Sequence, residues 1–177
     1  MTEKISVLID QETVERKIQE IADAISRDYA GKSVHLVGIL KGSVMYMTEL
    51  AKRLTIPATF DFMSVSSYGD GTSSSGIVRI AKDTDEGLEG KDVIIVEDIV
   101  DSGRTLSYLL DLLQQRNPNT LKLTTLLDKP DRRVREVYVD YEGFVIPDKF
   151  VVGYGLDYAQ RYRNLPYIGV LSFGDEG

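Results

Sequence analysis

Residues 92–98 read DVIIVED, with four aliphatic side chains in unbroken succession. A strand sends alternate side chains to opposite faces, so a run that is apolar at every position must be covered on both sides. SVHLVGIL (33–40), TFDFMSV (59–65) and LKLTTLL (121–127) are similar short runs, and further strands are expected at 77–81, 150–155 and 167–172. Between them the period changes. Val14, Ile18, Ile21 and Ile25 recur at three- and four-residue spacing behind Asp10, which can cap a helix. Ile9 and Val14 are placed as a hydrophobic staple, and Gly31 ends the helix. Two more helices are expected, over 43–54 with Val44, Met47 and Leu50 or Ala51 inward, and over 103–116. Strands alternating with helices predict an α/β fold, a mainly parallel central sheet flanked by helices. Segment 132–145 carries no readable motif.

At 177 residues the chain is expected to form a single domain. It contains no cysteine, which excludes disulfides, thiolate metal sites and cysteine nucleophiles, and favours an intracellular protein. The net charge of −7 argues against a nucleic-acid partner, because such partners are held by excess positive charge. A single histidine excludes a histidine-rich metal site. No apolar run approaches the roughly 20 residues of a membrane span. The N-terminal MTEKISVLIDQET carries acids and lacks the apolar core of a signal peptide, so a cytoplasmic location is expected.

The strand at 92–98 runs into VEDIVDSGRT and then into a helical pattern. A buried strand, a tight turn with Gly103 and a helix start leave backbone N–H groups free to hold an anion. Ser102 and Thr105 add hydroxyl donors. The stretch is neither G-x-x-x-x-G-K-[ST] nor G-x-G-x-x-G. Glu97 and Asp98 lie at the carboxyl edge of the strand, where open α/β sheets bind ligands. Carboxylates there can accept from sugar hydroxyls or hold Mg²⁺ through water. The combination asks for a ligand bearing a phosphate and a vicinal diol, a ribose 5-phosphate. The plain structural alternative is a capped turn with solvated acids.

Four hydrophobics, two acids, more hydrophobics and D-S-G-R-T resemble the phosphoribosyl-diphosphate (PRPP) motif of type I phosphoribosyltransferases. The resemblance implies that Glu97 and Asp98 meet the ribose hydroxyls and that Asp101, Ser102, Gly103, Arg104 and Thr105 wrap the 5-phosphate. Asp101 would be the general base or acid for a proton on the purine's imidazole ring. Its structural alternative is an N-cap of the helix over 103–116. LKGS (40–43) resembles the family's pyrophosphate loop, which implies roles for Lys41 and Gly42 and a non-proline cis peptide before Lys41. Taken alone, Lys41 reads as a solvated lysine in a turn.

The polar stretch SSYGDGTSSSG (66–76) reads either as a linker or as a lid that keeps water from an oxocarbenium-like carbon. In the family a Ser-Tyr pair covers the pyrophosphate, matching Ser67 and Tyr68. TLLDKPD (125–131) and IPDKFVVGYGLDYAQRYRNLPYIGVL (146–171) resemble the hypoxanthine–guanine branch. Lys129, a cation with only donors, suits a carbonyl oxygen on a base and repels the amino group of adenine. Phe150 could stack on a base. Otherwise Lys129 is a surface lysine and Phe150 a core aromatic. The resemblance implies that Lys129 contacts the six-position oxygen, that Phe150 stacks, that the Val151 backbone touches the purine, and that Asp157 also belongs to the purine site. Asp157 would bind a Mg²⁺ that carries pyrophosphate, with Glu97 and Asp98 as the other metal-side acids, and Arg163 would contact the pyrophosphate.

The resemblance extends over about residues 5–172 and implies purine salvage: transfer of phosphoribose from PRPP to hypoxanthine or guanine. It also implies a core over about 30–145 with a small hood from the N-terminal segment and residues 146–177, and a homo-oligomer, dimer or tetramer. Ser43 stands where a second glycine is often found. Competing readings are a xanthine-preferring enzyme, a PRPP-binding subunit without catalysis, and an RNA-binding regulator of pyrimidine genes on the same fold. The acidic charge disfavours the regulator.

Overall fold

In a computed structural model, which describes residues 1–67 and 78–174, two sheets carry nine strands. In chain order these are β1 (Thr2–Ile9), α1 (Gln11–Asp28), β2 (Val34–Ile39), α2 (Val44–Arg53), β3 (Ala58–Ser67), β4 (Val78–Lys82), β5 (Asp92–Val100), α3 (Arg104–Gln114), β6 (Thr120–Asp128), β7 (Tyr141–Val145), β8 (Val151–Val152) and β9 (Ile168–Gly174). The large sheet has the order β4-β3-β2-β5-β6-β7. It is parallel except for the β3–β4 pair. The α/β expectation holds.

Burial follows the apolar runs. Leu36, Ile94, Val96 and Leu126 face one core with Val14, Ile18, Ile25, Met47 and Leu50 of α1 and α2. Val37, Val93, Ile95 and Leu123, the alternate residues, face a second core with Leu106, Leu109 and Leu113 of α3. Helices on both faces bury every position of β2 and the centre of β5. Asp10 caps α1 by accepting the Thr13 N–H at 2.8 Å.

Three local expectations need correction. In α2 the buried residues are Tyr46, Met47 and Leu50, while Val44 is half-buried. Tyr46 is fully buried because its hydroxyl meets Thr124 Oγ1 at 2.6 Å, which satisfies its one polar atom. The strand expected over 150–155 is only Val151–Val152. Gly153, Tyr154 and Gly155 all have positive φ, and the chain turns there. Segment 132–145 contains β7, the edge strand of the large sheet.

The small sheet has the order β1-β9-β8, with both pairs antiparallel. It joins the two ends of the chain. Glu3 of β1 accepts from Arg161 Nη2 at 2.5 Å and from the Tyr162 hydroxyl, which ties this sheet to the 158–163 loop. The polar stretch 66–76 falls mostly on residues 68–77, outside the described residues, and Tyr68 lies there. Ser67 ends β3. No helix among the described residues is long and apolar enough to cross a membrane.

Candidate active site

Strand order reverses between β2 and β5: β2 leads outward to β3, and β5 leads the other way to β6. Such a switch point opens a crevice beyond the carboxyl ends of the strands. The loop after β2 carries Lys41 and Gly42, and the end of β5 carries Glu97 to Asp101. Topology alone therefore brings two of the predicted segments together.

Gly103 has φ 77°, a conformation open to glycine and costly for other residues. A Cβ there would overlap the Arg135 carbonyl oxygen and crowd Val137 Cγ2 at 3.0 Å. The turn before α3 is also held from outside, since the Ser102 carbonyl accepts N–H groups from Val134 at 2.8 Å and Arg135 at 3.0 Å. A cavity of about 90 Å³ lies over the turn, lined by Glu97, Asp101, Ser102, Gly103 and Thr105 among others. Asp101 does not cap α3. Its Oδ1 accepts the Ser102 N–H at 2.6 Å, and the cap position is Gly103. The aspartate side chain is exposed at the mouth of the turn.

Glu97 and Asp98 are half-buried neighbours. Loss of water and the adjacent Asp98 charge push the Glu97 carboxyl well above the usual carboxylate range. Loss of water also raises Asp98, against the Ile99 N–H donated to Oδ1 at 2.7 Å and the positive Arg163. Two crowded carboxylates of this kind are relieved by donors or by a cation.

The Leu40–Lys41 peptide is cis. Gly42 lies directly against the Asp98 carboxylate, where any Cβ would overlap Oδ2. The backbone of Gly155 packs on the Gly42 carbonyl from the other side. Arg163 Nη1 donates to the Gly155 carbonyl at 2.6 Å, and its Nη2 lies 3.4 Å from Asp157 Oδ1. Asp157 in turn accepts the Gln160 N–H at 2.8 Å. Lys41, Gly42, Asp98, Asp157 and Arg163 thus converge from three distant parts of the sequence.

Lys129 follows β6, and its backbone N–H donates to the Val100 carbonyl at 2.8 Å. Its Nζ donates to the Lys149 carbonyl at 2.8 Å and lies 3.9 Å from Asp148 Oδ1. Phe150 is 51% exposed and meets Tyr158 edge to face with centroids 5.8 Å apart, so it is no core aromatic. Val151 is buried in β8, paired with Val170.

A family profile described as the phosphoribosyl transferase domain matches residues 6–159. The hypoxanthine-guanine phosphoribosyltransferase of Streptococcus pyogenes is 50% identical over 165 residues, covering 93% of this chain and 92% of that protein. This chain belongs to the phosphoribosyltransferase family, in its hypoxanthine–guanine branch. A bifunctional protein TilS/HprT of Listeria monocytogenes is 54% identical over 165 residues, but this chain spans only 26% of its length. A hypoxanthine phosphoribosyltransferase of Staphylococcus aureus has the same fold, with a TM-score of 0.92 at 50% identity, covering 94% of this chain and 91% of that one.

In this phosphoribosyltransferase chain, two residues of the crevice escaped the sequence reading. Gln160, with φ 65°, accepts through Oε1 from both Lys41 Nζ and Arg163 Nη2. Asp148 lies 3.9 Å from both the Lys129 and the Arg132 cation. Both lie within the 146–171 stretch, but only the folded backbone brings them to these cations. Among the described residues no group of three or more His, Cys, Asp or Glu is arranged to hold a metal.

Proposed function

We propose that this chain transfers the 5-phosphoribosyl group of PRPP to hypoxanthine or guanine, giving IMP or GMP and pyrophosphate. The observation that carries the reading is the approach of the 40–42 and 155–163 loops to Asp98 at the switch-point crevice, with Lys129 bonded to the end of β5 just before the 101–105 turn. In this reading the protein is one domain with a core of about residues 30–145, and the small sheet belongs to a hood.

The 5-phosphate sits on the N–H groups and hydroxyls of residues 101–105, with Arg104 beside them, where the α3 terminus favours an anion. Glu97 and Asp98 accept from the two ribose hydroxyls. The Lys41–Gly42 loop, Ser67, Tyr68 and Arg163 hold the pyrophosphate, the positive side chains taking up charge as the glycosidic bond lengthens. Lys129 keeps Nζ donors for the six-position oxygen, Phe150 stacks on the ring, and the Val151 backbone meets the ring edge. Asp101 has one oxygen committed to Ser102 N–H and one left for the ring proton, so it can act as general base.

Hard oxygen donors in ones and twos, beside a polyphosphate, suit Mg²⁺, which keeps several waters and takes few carboxylates. Asp157 would hold it on the pyrophosphate side, and Glu97 and Asp98 on the ribose side. When bound it neutralises the diphosphate leaving group. The absence of cysteine supports a cytoplasmic enzyme, and the family resemblance supports a homo-oligomer, a dimer or tetramer.

The test is pyrophosphate release from PRPP and Mg²⁺ with hypoxanthine, guanine, xanthine, adenine or uracil in separate reactions. Rapid release with hypoxanthine or guanine is expected. Release with uracil alone, or with no base, would overturn the reading, and a preference for xanthine would correct its substrate.

A further inference from the structure

Segment 129–135 lies beside both halves of the crevice, and one buried cluster holds it. Asp128, only 6% exposed, ends β6 immediately before Lys129. Arg133, whose side chain is also largely buried, turns back and pairs through Nη2 with Asp128 Oδ1. Between them is a single 3₁₀ turn, Pro130–Arg132, closed by Arg132 N–H to the Lys129 carbonyl at 3.1 Å and Arg133 N–H to the Pro130 carbonyl at 2.9 Å. The Glu142 carboxyl of β7, the neighbouring strand, is raised by Asp128.

Both ends of this segment are stapled to the phosphate turn. Lys129 N–H donates to the Val100 carbonyl, and the Val134 and Arg135 N–H groups donate to the Ser102 carbonyl. The Arg133 side chain packs on the same turn, with Cδ 3.2 Å from where a Gly103 Cβ would stand. The backbone that seats Lys129 and the backbone that shapes the anion cradle are therefore joined by three backbone hydrogen bonds, and one arginine–carboxylate pair holds the segment that carries them.

We propose that Asp128 and Arg133 are positioning residues that clamp the purine-side lysine and the phosphate turn into one rigid unit, so that base and ribose 5-phosphate are bound in a fixed mutual register. The inference rests on the reaction proposed above. A clamp of this kind acts on placement, and small displacements in a binding site are costly to rate and affinity. It also explains a buried ion pair in a place where an apolar pair would serve stability equally well.

Arg133→Met alone strands the Asp128 charge, which is itself destabilising. The primary variant is therefore the pair Asp128→Asn with Arg133→Met, which removes both charges. The readouts are thermal melting, the KM values for PRPP and hypoxanthine, kcat, and calorimetric affinity for IMP. We expect both KM values to rise together and IMP affinity to fall by roughly tenfold or more, with smaller loss of kcat. Arg133→Lys, which keeps the charge and loses the planar fork, should lie between wild type and the pair. If the pair does not fold, Arg133→Lys decides alone: raised KM values for both substrates with native melting support the clamp. Lowered melting with unchanged KM values and IMP affinity would overturn it. A wild-type protein that fails to turn over PRPP with any purine would instead overturn the proposed reaction.

Discussion

Lys41 and Arg163 meet at a single atom. The side-chain oxygen of Gln160 accepts from Lys41 Nζ at 3.3 Å and from Arg163 Nη2 at 3.2 Å. Two cations assigned to the pyrophosphate are thus held side by side by a neutral acceptor, which orients them without cancelling their charge. Gln160→Ala removes the bridge, and each cation loses a bond to its neighbour. We expect KM for PRPP to rise by roughly three- to tenfold, the size of one or two such bonds, with KM for hypoxanthine unchanged. Initial rates against each substrate separately provide the check. An equal rise in both constants would place Gln160 outside the pyrophosphate site.

Asp101→Asn keeps an oxygen that can accept the Ser102 N–H and removes the basicity. PRPP binding is expected to persist, while turnover falls by about 10²–10⁴, the usual contribution of a placed proton acceptor. Calorimetry for PRPP alongside kcat separates the two effects. Lost PRPP binding with normal turnover of bound substrate would contradict the assignment.

The phosphate turn depends on one backbone conformation. Gly103→Ala forces a side chain into φ 77° and against the Arg135 carbonyl. The positive φ alone costs on the order of 1–2 kcal/mol for a residue with a Cβ. We expect a lower melting temperature together with weaker ribose 5-phosphate binding, measured by scanning calorimetry and titration. A fall in melting temperature without a change in binding would mean that the turn does not hold the phosphate.

How much of this could be read from sequence depended on what each residue answers to. The inner strands and the 97–105 turn were legible because burial on both faces dictates composition and a tight turn dictates glycine. The β1 strand was not: it pairs at an edge with β9, its exposure is mixed, and Glu3 and Lys4 interrupt any apolar pattern. The β7 strand was lost for the same reason, with Glu142 and Gly143 in its middle. Tyr46 was hidden because its burial depends on Thr124, far away in the chain. Gln160 sits in a loop of positive-φ residues whose shape follows from contacts with Glu3 and Asp157. Motif-bearing positions answer to chemistry and are visible locally, whereas supporting positions answer to the fold.

Glu142 makes stability depend on pH. Glu142 is exposed, but a proton shared with Asp128, partial loss of water and the Asp128 charge raise its carboxyl to about 7 from an ordinary 4.5. A raised acid is favoured in its protonated form by the folded state. Its contribution to stability is therefore complete below about 4.5 and is lost as pH rises through about 7. His35 acts in the opposite sense. Burial holds its ring below the ordinary 6.5, so protonation at lower pH costs stability. Glu142→Gln isolates the first effect. The difference in melting temperature between variant and wild type should grow in the variant's favour from pH 5 to pH 8, and a constant difference would mean that Glu142 does not titrate in this range.

In the proposed reaction the purine end rests on Lys129. Its Nζ is anchored by the Lys149 carbonyl at 2.8 Å and lies 3.9 Å from Asp148, so the ammonium is held in place with donors to spare. Phe150, the next residue after Lys149, has an exposed ring. Lys129→Gln keeps a donor, shortens the side chain by one atom and removes the charge. A hydrogen bond from a charged group contributes about 1.5–3 kcal/mol, so KM for hypoxanthine and guanine should rise by roughly ten- to a hundredfold while KM for PRPP moves little. Adenine, whose six-position group is a donor, is repelled by the ammonium but can be accepted by the amide oxygen of glutamine. The ratio of adenine to hypoxanthine turnover should therefore increase. Steady-state kinetics with the three bases decides it, and an unchanged KM for both 6-oxopurines would remove Lys129 from the base site.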